Sequence, residues 1–415
     1  MRYTATLPSG LKIVMERAAS RAVYCGIVVR AGTRHEAVAD SGMAHFVEHM
    51  VFKGTHRRTA RQITGILERR GGDLSAFTSK QETVYYANVM PEDFSLAADV
   101  LCDIVFNSVF PQKEIPKEAE VICDEIESYR DSPAELIFDD FESLLFPGQP
   151  LGRDVLGDPA TLRRYTTADA LRFTAENYFP ANCIFYLVGD IDFKQAERAI
   201  AKAMAAFTPF AGQGANGRSG DDLGQLPAPQ PAPAFVVERN KSTHQAHVVV
   251  GTATFGGNDP QHAALQLLNN IVGGPAPNSR LNLALRERAG LVYSVDSYAS
   301  TYPDTGLWAA YFGCDPGDVK RCLSLFHREL RRLTEKPLPA ATLAALKRQY
   351  TRQVRLTCDN FESYALALGK SFAHYGRHRD IDNFCREIDA ITPDALHRVA
   401  CEILSPDRLS TLIYR

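Results

Sequence analysis

Apolar positions run almost without a break through residues 41–54, "SGMAHFVEHMVFKG", where Met43, Ala44, Phe46, Val47, Met50, Val51 and Phe52 surround His45, Glu48 and His49. A helix that is oily over most of its surface belongs in a core, and burying unpaired imidazoles and a carboxylate there is costly. The rest of the chain is patterned more conventionally. "MRYTATLPSGLKIVMERAAS" predicts a strand, a turn at Pro8-Ser9-Gly10 and a second strand. "AVYCGIVVRAGTRHE" and "NCIFYLVGDID" predict further strands, and residues 91–106, 117–129 and 340–356 predict long helices.

The sharpest change in pattern falls at residues 209–234, "PFAGQGANGRSGDDLGQLPAPQPAPA". This stretch is rich in Gly, Pro and Ala and poor in large apolar residues, which predicts an extended linker. On either side lie faint copies of one plan. "AVYCGIVVRAGTRHE" and the apolar helix in the first half correspond to "HQAHVVVGTATFGGND" and "PQHAALQLLNNIVGG" in the second, and "NCIFYLVGDID" corresponds to "DRLSTLIYR". The expected fold class is α+β: two similar domains, each a mostly antiparallel sheet with helices packed on one face. The expected boundaries are 1–208, a linker at 209–234, and 235–415. The second copy lacks the polar triplet, since His262 is followed by Ala263, Ala264 and Leu265, so the halves are not chemically equivalent.

Composition narrows the function. A chain of 415 residues is long enough for two or three domains. A net charge of -3 argues against a nucleic-acid partner, which usually calls for a basic face. No apolar run approaches the length of a membrane span, and the N-terminus lacks a signal-peptide core. Nine cysteines, scattered and without a Cys-x-x-Cys pair, suit buried thiols in a reducing compartment. The expected location is the cytoplasm.

In a helix His45, Glu48 and His49 share a face, and imidazoles at i and i+4 can aim at one Zn²⁺. A catalytic zinc needs three protein ligands and an open position. "IPKEAEVICDEIESYRDSP" predicts a second helix, opened by Pro116 and closed by Ser132-Pro133. On it Glu118 and Glu125 lie two turns apart on one stripe, so either carboxylate can bind metal with the other beside it. Asp124 and Glu127 point elsewhere.

The motif H-x-x-E-H marks the inverzincins. With "GGDLSAFTSKQETVYY", "EAEVICDEIESYRDSP", "LVGDID" and "SRLNLALRERAGLVYSV", the chain resembles the pitrilysin (insulinase) family of zinc metallopeptidases over essentially its whole length. It is most similar to the short branch of mitochondrial processing peptidase and its bacterial relatives. The resemblance implies one Zn²⁺ per chain held by His45, His49 and Glu125, with Glu48 as general base and Glu118 supporting catalysis. It also implies that Arg286 and Tyr293, from "RERAGLVYSV", are lent by the second domain to the active site. "VGGPAPNSRL" departs from the family in placing Pro275 and Pro277 where relatives tend to have Gly and small residues. The strand Ser75, Ala76, Phe77 and Thr78 is the expected substrate track, joined by an extended peptide through β-augmentation; Ser75 stands where many relatives have Asn. The implied activity is peptide hydrolysis by a zinc-activated water, in a homodimer or in a heterodimer with a homologous subunit. A non-catalytic structural or assembly subunit is the rival reading, and such relatives typically lose ligands or the base.

Overall fold

The computed structural model of the chain describes residues 2–205, 228–377 and 380–415. The expected linker lies outside the described residues as far as position 227. Beyond it, residues 228–234 form no regular element, and Ala232 N–H donates to Leu145 O at 2.8 Å. The described chain separates into two compact units, one of residues 2–127, 153–205 and 357–377, the other of residues 128–152, 228–356 and 380–415.

The first unit is built on a six-stranded sheet: β1 (Arg2–Thr6), β2 (Lys12–Arg17), β3 (Val23–Val29), β4 (Asp73–Thr78), β5 (Thr83–Val89) and β6 (Cys183–Gly189). Their spatial order is β1-β2-β6-β3-β5-β4, antiparallel except for the parallel β2–β6 pair. The expected turn joins β1 to β2, with Gly10 at φ +91°, a conformation open to glycine. One face of the sheet carries the main core, to which the helices Met43–Met50, Phe94–Phe106, Ile115–Arg130 and Phe193–Ala205 contribute.

The second unit repeats the plan on a five-stranded sheet of β7 (Val236–Arg239), β8 (Ala246–Thr254), β9 (Val292–Thr301), β10 (Gly306–Cys314) and β11 (Ser410–Tyr414). The order is β7-β11-β8-β10-β9, with β7–β11 its parallel pair. The helices His262–Gly273, Val319–Thr334 and Pro393–Ile403 share a core with Val248, Val250, Trp308 and Phe312 on one face.

The α+β class is as expected, and the structure adds a helix to the other face of each sheet. Helix Phe361–Tyr375 brings Ala365, Leu368 and Ala373 against Val14, Val28, Val84 and Ile184 of the first sheet. Helix Pro133–Leu145 brings Ile137, Phe141 and Leu145 against Val249, Leu307, Ala309 and Leu412 of the second. The physical reason lies in the strands. β6 and β8 are apolar on both faces, so neither face of the sheet can be left to water. Each added helix comes from the opposite half of the sequence, an exchange that the repeat pattern did not announce.

Candidate metal centre

The helix Met43–Met50 starts at Gly42, whose φ is +83° and whose Cα lies so near Gly157 that a Cβ on either residue would collide with the other's backbone. No side chain of the N-cap residue satisfies the first turn. Instead the buried carboxylate of Glu36 accepts the N–H groups of Gly42 at 3.1 Å and Ala44 at 2.8 Å, filling the role of a cap from six residues upstream. All helix positions except His49 are buried, His45 and Glu48 among them, and His49 is half-buried.

Helix Ile115–Arg130 completes the cluster. Glu125 Oε2 lies 3.8 Å from His45 Nε2 and 3.6 Å from His49 Nε2, and one donor atom from each of the three residues falls within 4.8 Å of the others. Two turns earlier, Glu118 Oε1 accepts from His49 Nδ1 at 2.9 Å, while Glu118 Oε2 meets Lys53 Nζ at 2.5 Å. The two glutamates, left open as ligands by their spacing, therefore take separate positions. With His49 donating from Nδ1, its Nε2 lone pair faces Glu125.

These residues fit a divalent cation. At 3.6 and 3.8 Å the imidazole nitrogens are too far from the carboxylate to be hydrogen-bonded to it. Ligands about 2.0–2.1 Å from a tetrahedral Zn²⁺ would stand roughly 3.3–3.4 Å apart, close to what is seen. His45 Nδ1 is buried with no hydrogen-bond partner among the described residues, leaving Nε2 as the side from which its burial can be offset. Burial, then the neighbouring His49, pulls His45 down to about 3, so the ring is neutral, the form that ligates metal. For His49 burial acts in the same direction but is outweighed by Glu118, Glu48 and Glu125, and its value rises. Zn²⁺ with a carboxylate behind a ligand histidine is a recurrent arrangement.

Glu48 lies on the same helix face but makes a different contact. Its Oε2 accepts the Thr78 hydroxyl at 2.6 Å, and burial raises its carboxyl above the ordinary range despite that bond. Thr78 belongs to β4, the edge strand of its sheet, which pairs with β5 alone. Alternation splits the predicted substrate strand: Leu74 and Ala76 pack toward the core that holds the metal helix, as Thr78 also points, and Phe77 packs on the opposite face. Ser75 shares the parity of Phe77.

Arg286 and Tyr293 lie in the second unit. Arg286 lies in the last turn of a π-helical segment, Asn282–Glu287, and Tyr293 is on β9; both are exposed. The Pro-containing loop before them is tied down by paired Asn278 and Gln349 amides at 3.0 and 3.1 Å. Sequence reasoning missed Lys53 and Glu36 altogether, and missed Thr78 as the partner of Glu48. Lys53 had a signal, since it follows His49 by four residues on a helical continuation, Val51–Lys53. Glu36 had none.

The family model described as "Insulinase (Peptidase family M16)" matches residues 12–159, which include His45, Glu48, His49, Glu118 and Glu125. A second, described as "Peptidase M16 inactive domain", matches residues 164–350. An uncharacterized zinc protease of Streptomyces coelicolor is 32% identical over 406 residues, covering 96% of this chain and 86% of that protein. The chain belongs to the insulinase family, peptidase family M16. A second relative, an uncharacterized zinc protease of Bacillus subtilis, is 30% identical over 99% of this chain and 97% of its own length. Two solved structures share the M16 fold at a TM-score of 0.89 and 19% identity, each over 100% of this chain. They are a peptidase M16 inactive domain from Pseudomonas fluorescens and a protease from Helicobacter pylori.

Proposed function

We propose that this M16 chain is a zinc-dependent endopeptidase or oligopeptidase acting on extended peptides or unfolded polypeptides. The observation that carries the reading is the buried base beside an intact ligand set: His45, His49 and Glu125 gathered around one point, with Glu48 on the same helix face and free of that cluster. His45, His49 and Glu125 would hold Zn²⁺, which when bound polarises a carbonyl and makes a nearby water more acidic. Glu48 takes the proton of the attacking water and passes it to the leaving amine, a task suited to a carboxyl raised by burial. Glu118, bonded to His49 Nδ1, holds that ring in one tautomer and orientation. The unpaired edge of β4 offers backbone groups to an extended peptide, reading its shape more than its sequence. In this reading Arg286 and Tyr293 supply donors to the oxyanion, so that residues 1–208 form the catalytic domain and 235–415 complete it.

Further parts of the reading concern context. The chain pairs with itself or with a homologous subunit, which sedimentation of the purified protein tests. It works in the cytoplasm, in keeping with nine free cysteines; among the described residues no helix is long and apolar enough to cross a membrane.

The deciding experiment is Glu48→Gln. The variant is expected to keep its zinc by elemental analysis and to lose cleavage of a peptide library by about 10³-fold or more. Cleavage at the wild-type rate would refute the assignment. An unmodified chain that binds no metal and cleaves nothing would favour the assembly-subunit reading instead.

A further inference from the structure

On the face of the first sheet turned away from the metal centre, a cavity of about 150 Å³ opens between the strands and helix Phe361–Tyr375. Its origin is a row of residues in register across three strands, Tyr86 on β5, Gly26 on β3 and Tyr186 on β6. Gly26 leaves a notch between two tyrosines. The Tyr186 hydroxyl takes up part of it, 2.6 Å from where a Cβ on Gly26 would stand. Gly369 of the helix meets the same ring so closely that a Cβ there would lie 2.4 Å from Cδ1. Tyr24, two residues before Gly26 on β3, adds a third ring to the lining.

The polar groups of this cavity are unevenly matched. Tyr186 is only 2% exposed and lines the cavity, and its hydroxyl makes no hydrogen bond to another described residue. At the rim the Asn88 amide donates to both Glu362 at 3.0 Å and Asp73 at 3.2 Å, so two carboxylates share one neutral donor. No Lys, Arg or His is among the lining residues. Asp73 is raised above the ordinary carboxylate range by burial and by the field of Glu362, as expected for charges without a counterion.

We propose that this cavity is a binding site for a small alkylammonium ion, whose N–H groups donate to the Tyr186 hydroxyl and the Glu362 carboxylate while its chain lies among Tyr24, Tyr86 and Tyr186. The three rings favour a cation over a neutral guest through their negative faces. The carboxylates supply a charge for which no ion pair is found among the described residues. An N–H donor satisfies the oxygen that the fold leaves without a partner. The site is independent of the metal, because neighbouring residues of β5 point to opposite faces: Tyr85 bonds Tyr178 in the main core, and Tyr86 lines the cavity.

The test is calorimetric titration of the full-length chain with n-butylammonium, with n-butanol as the neutral analogue and tetramethylammonium as the cation without N–H. Saturable binding of n-butylammonium is expected, with both controls about tenfold weaker or more. Glu362→Gln, at an exposed position, and Tyr186→Phe, which removes only an unpartnered hydroxyl, should each weaken n-butylammonium by about tenfold. Thermal unfolding of Tyr186→Phe should match the parent. Equal binding of amine and alcohol, unchanged affinity in Glu362→Gln, or absence of saturable binding would each overturn the proposal.

Discussion

Thr78 is the residue on which the proposed base leans. Its hydroxyl donates to Glu48 Oε2 at 2.6 Å and lies 3.3 Å from Thr83 Oγ1, whose own hydroxyl donates to Ala31 O at 2.9 Å. One carboxylate oxygen is thereby held in place. Thr78→Val, which keeps the shape and removes the donor, should lower kcat by about tenfold or more with KM little changed, while Thr78→Ser restores it. Unchanged kcat in Thr78→Val, at wild-type zinc content, would rule out this positioning role. Glu118 acts on a different atom. It holds His49 Nδ1, and if His49 ligates zinc as proposed, Glu118→Gln should weaken zinc by about 10–100-fold in a chelator competition. Zinc held as tightly as in the parent would rule out this role for Glu118.

At the scale of elements, helix Phe361–Tyr375 is bound to the β4–β5 turn by charge as well as by oil. Glu82, almost fully buried, meets Lys370 Nζ at 2.8 Å and His374 Nε2 at 2.6 Å. Burial alone would raise Glu82, but His374 and Lys370 outweigh it and hold the carboxyl at about 2. A carboxyl depressed on folding stabilises the fold above its unfolded value, near 4.5, and that contribution is lost as pH falls toward 2. Glu82→Gln should therefore flatten the dependence of stability on pH between 4.5 and 2 by about one proton, measured by urea unfolding at each pH. A slope equal to the parent's would mean that Glu82 does not carry this linkage. The elements differ in how far the sequence announced them. Helices Met43–Met50 and Ile115–Arg130 were legible from their periodicity, and His45 and His49 with them because i and i+4 share a face; spacing left Glu118 and Glu125 open, and only the family resemblance singled out Glu125. Helix Phe361–Tyr375 was not assigned to the first sheet, since its partners Val14, Val84 and Ile184 are far away in sequence and local periodicity carries no address. Glu36 was illegible for the same reason: a carboxylate in a loop can cap any helix end that reaches it.

For the whole molecule, the repeat of a sheet with flanking helices was visible in the matched strand and helix segments, and so was the loss of the metal triplet from the second copy. The exchange of helices between the halves was not, and it bears on what the chain can tolerate. A fragment ending at residue 205 would carry Ile137, Phe141 and Leu145 with no sheet to cover and would leave Val28 and Ile184 bare; a fragment starting at 228 would have the converse defects. Such apolar surfaces drive aggregation. Produced separately, the two fragments are expected to be insoluble; produced together, they should purify as a one-to-one complex by size-exclusion chromatography. A soluble, cooperatively unfolding single fragment would contradict this. The two halves are thus mutual chaperones, each holding a piece without which the other is unfinished. A gene split between the codons for Ala205 and Ala228 would still encode one protein, delivered as two polypeptides that depend on being made in the same cell.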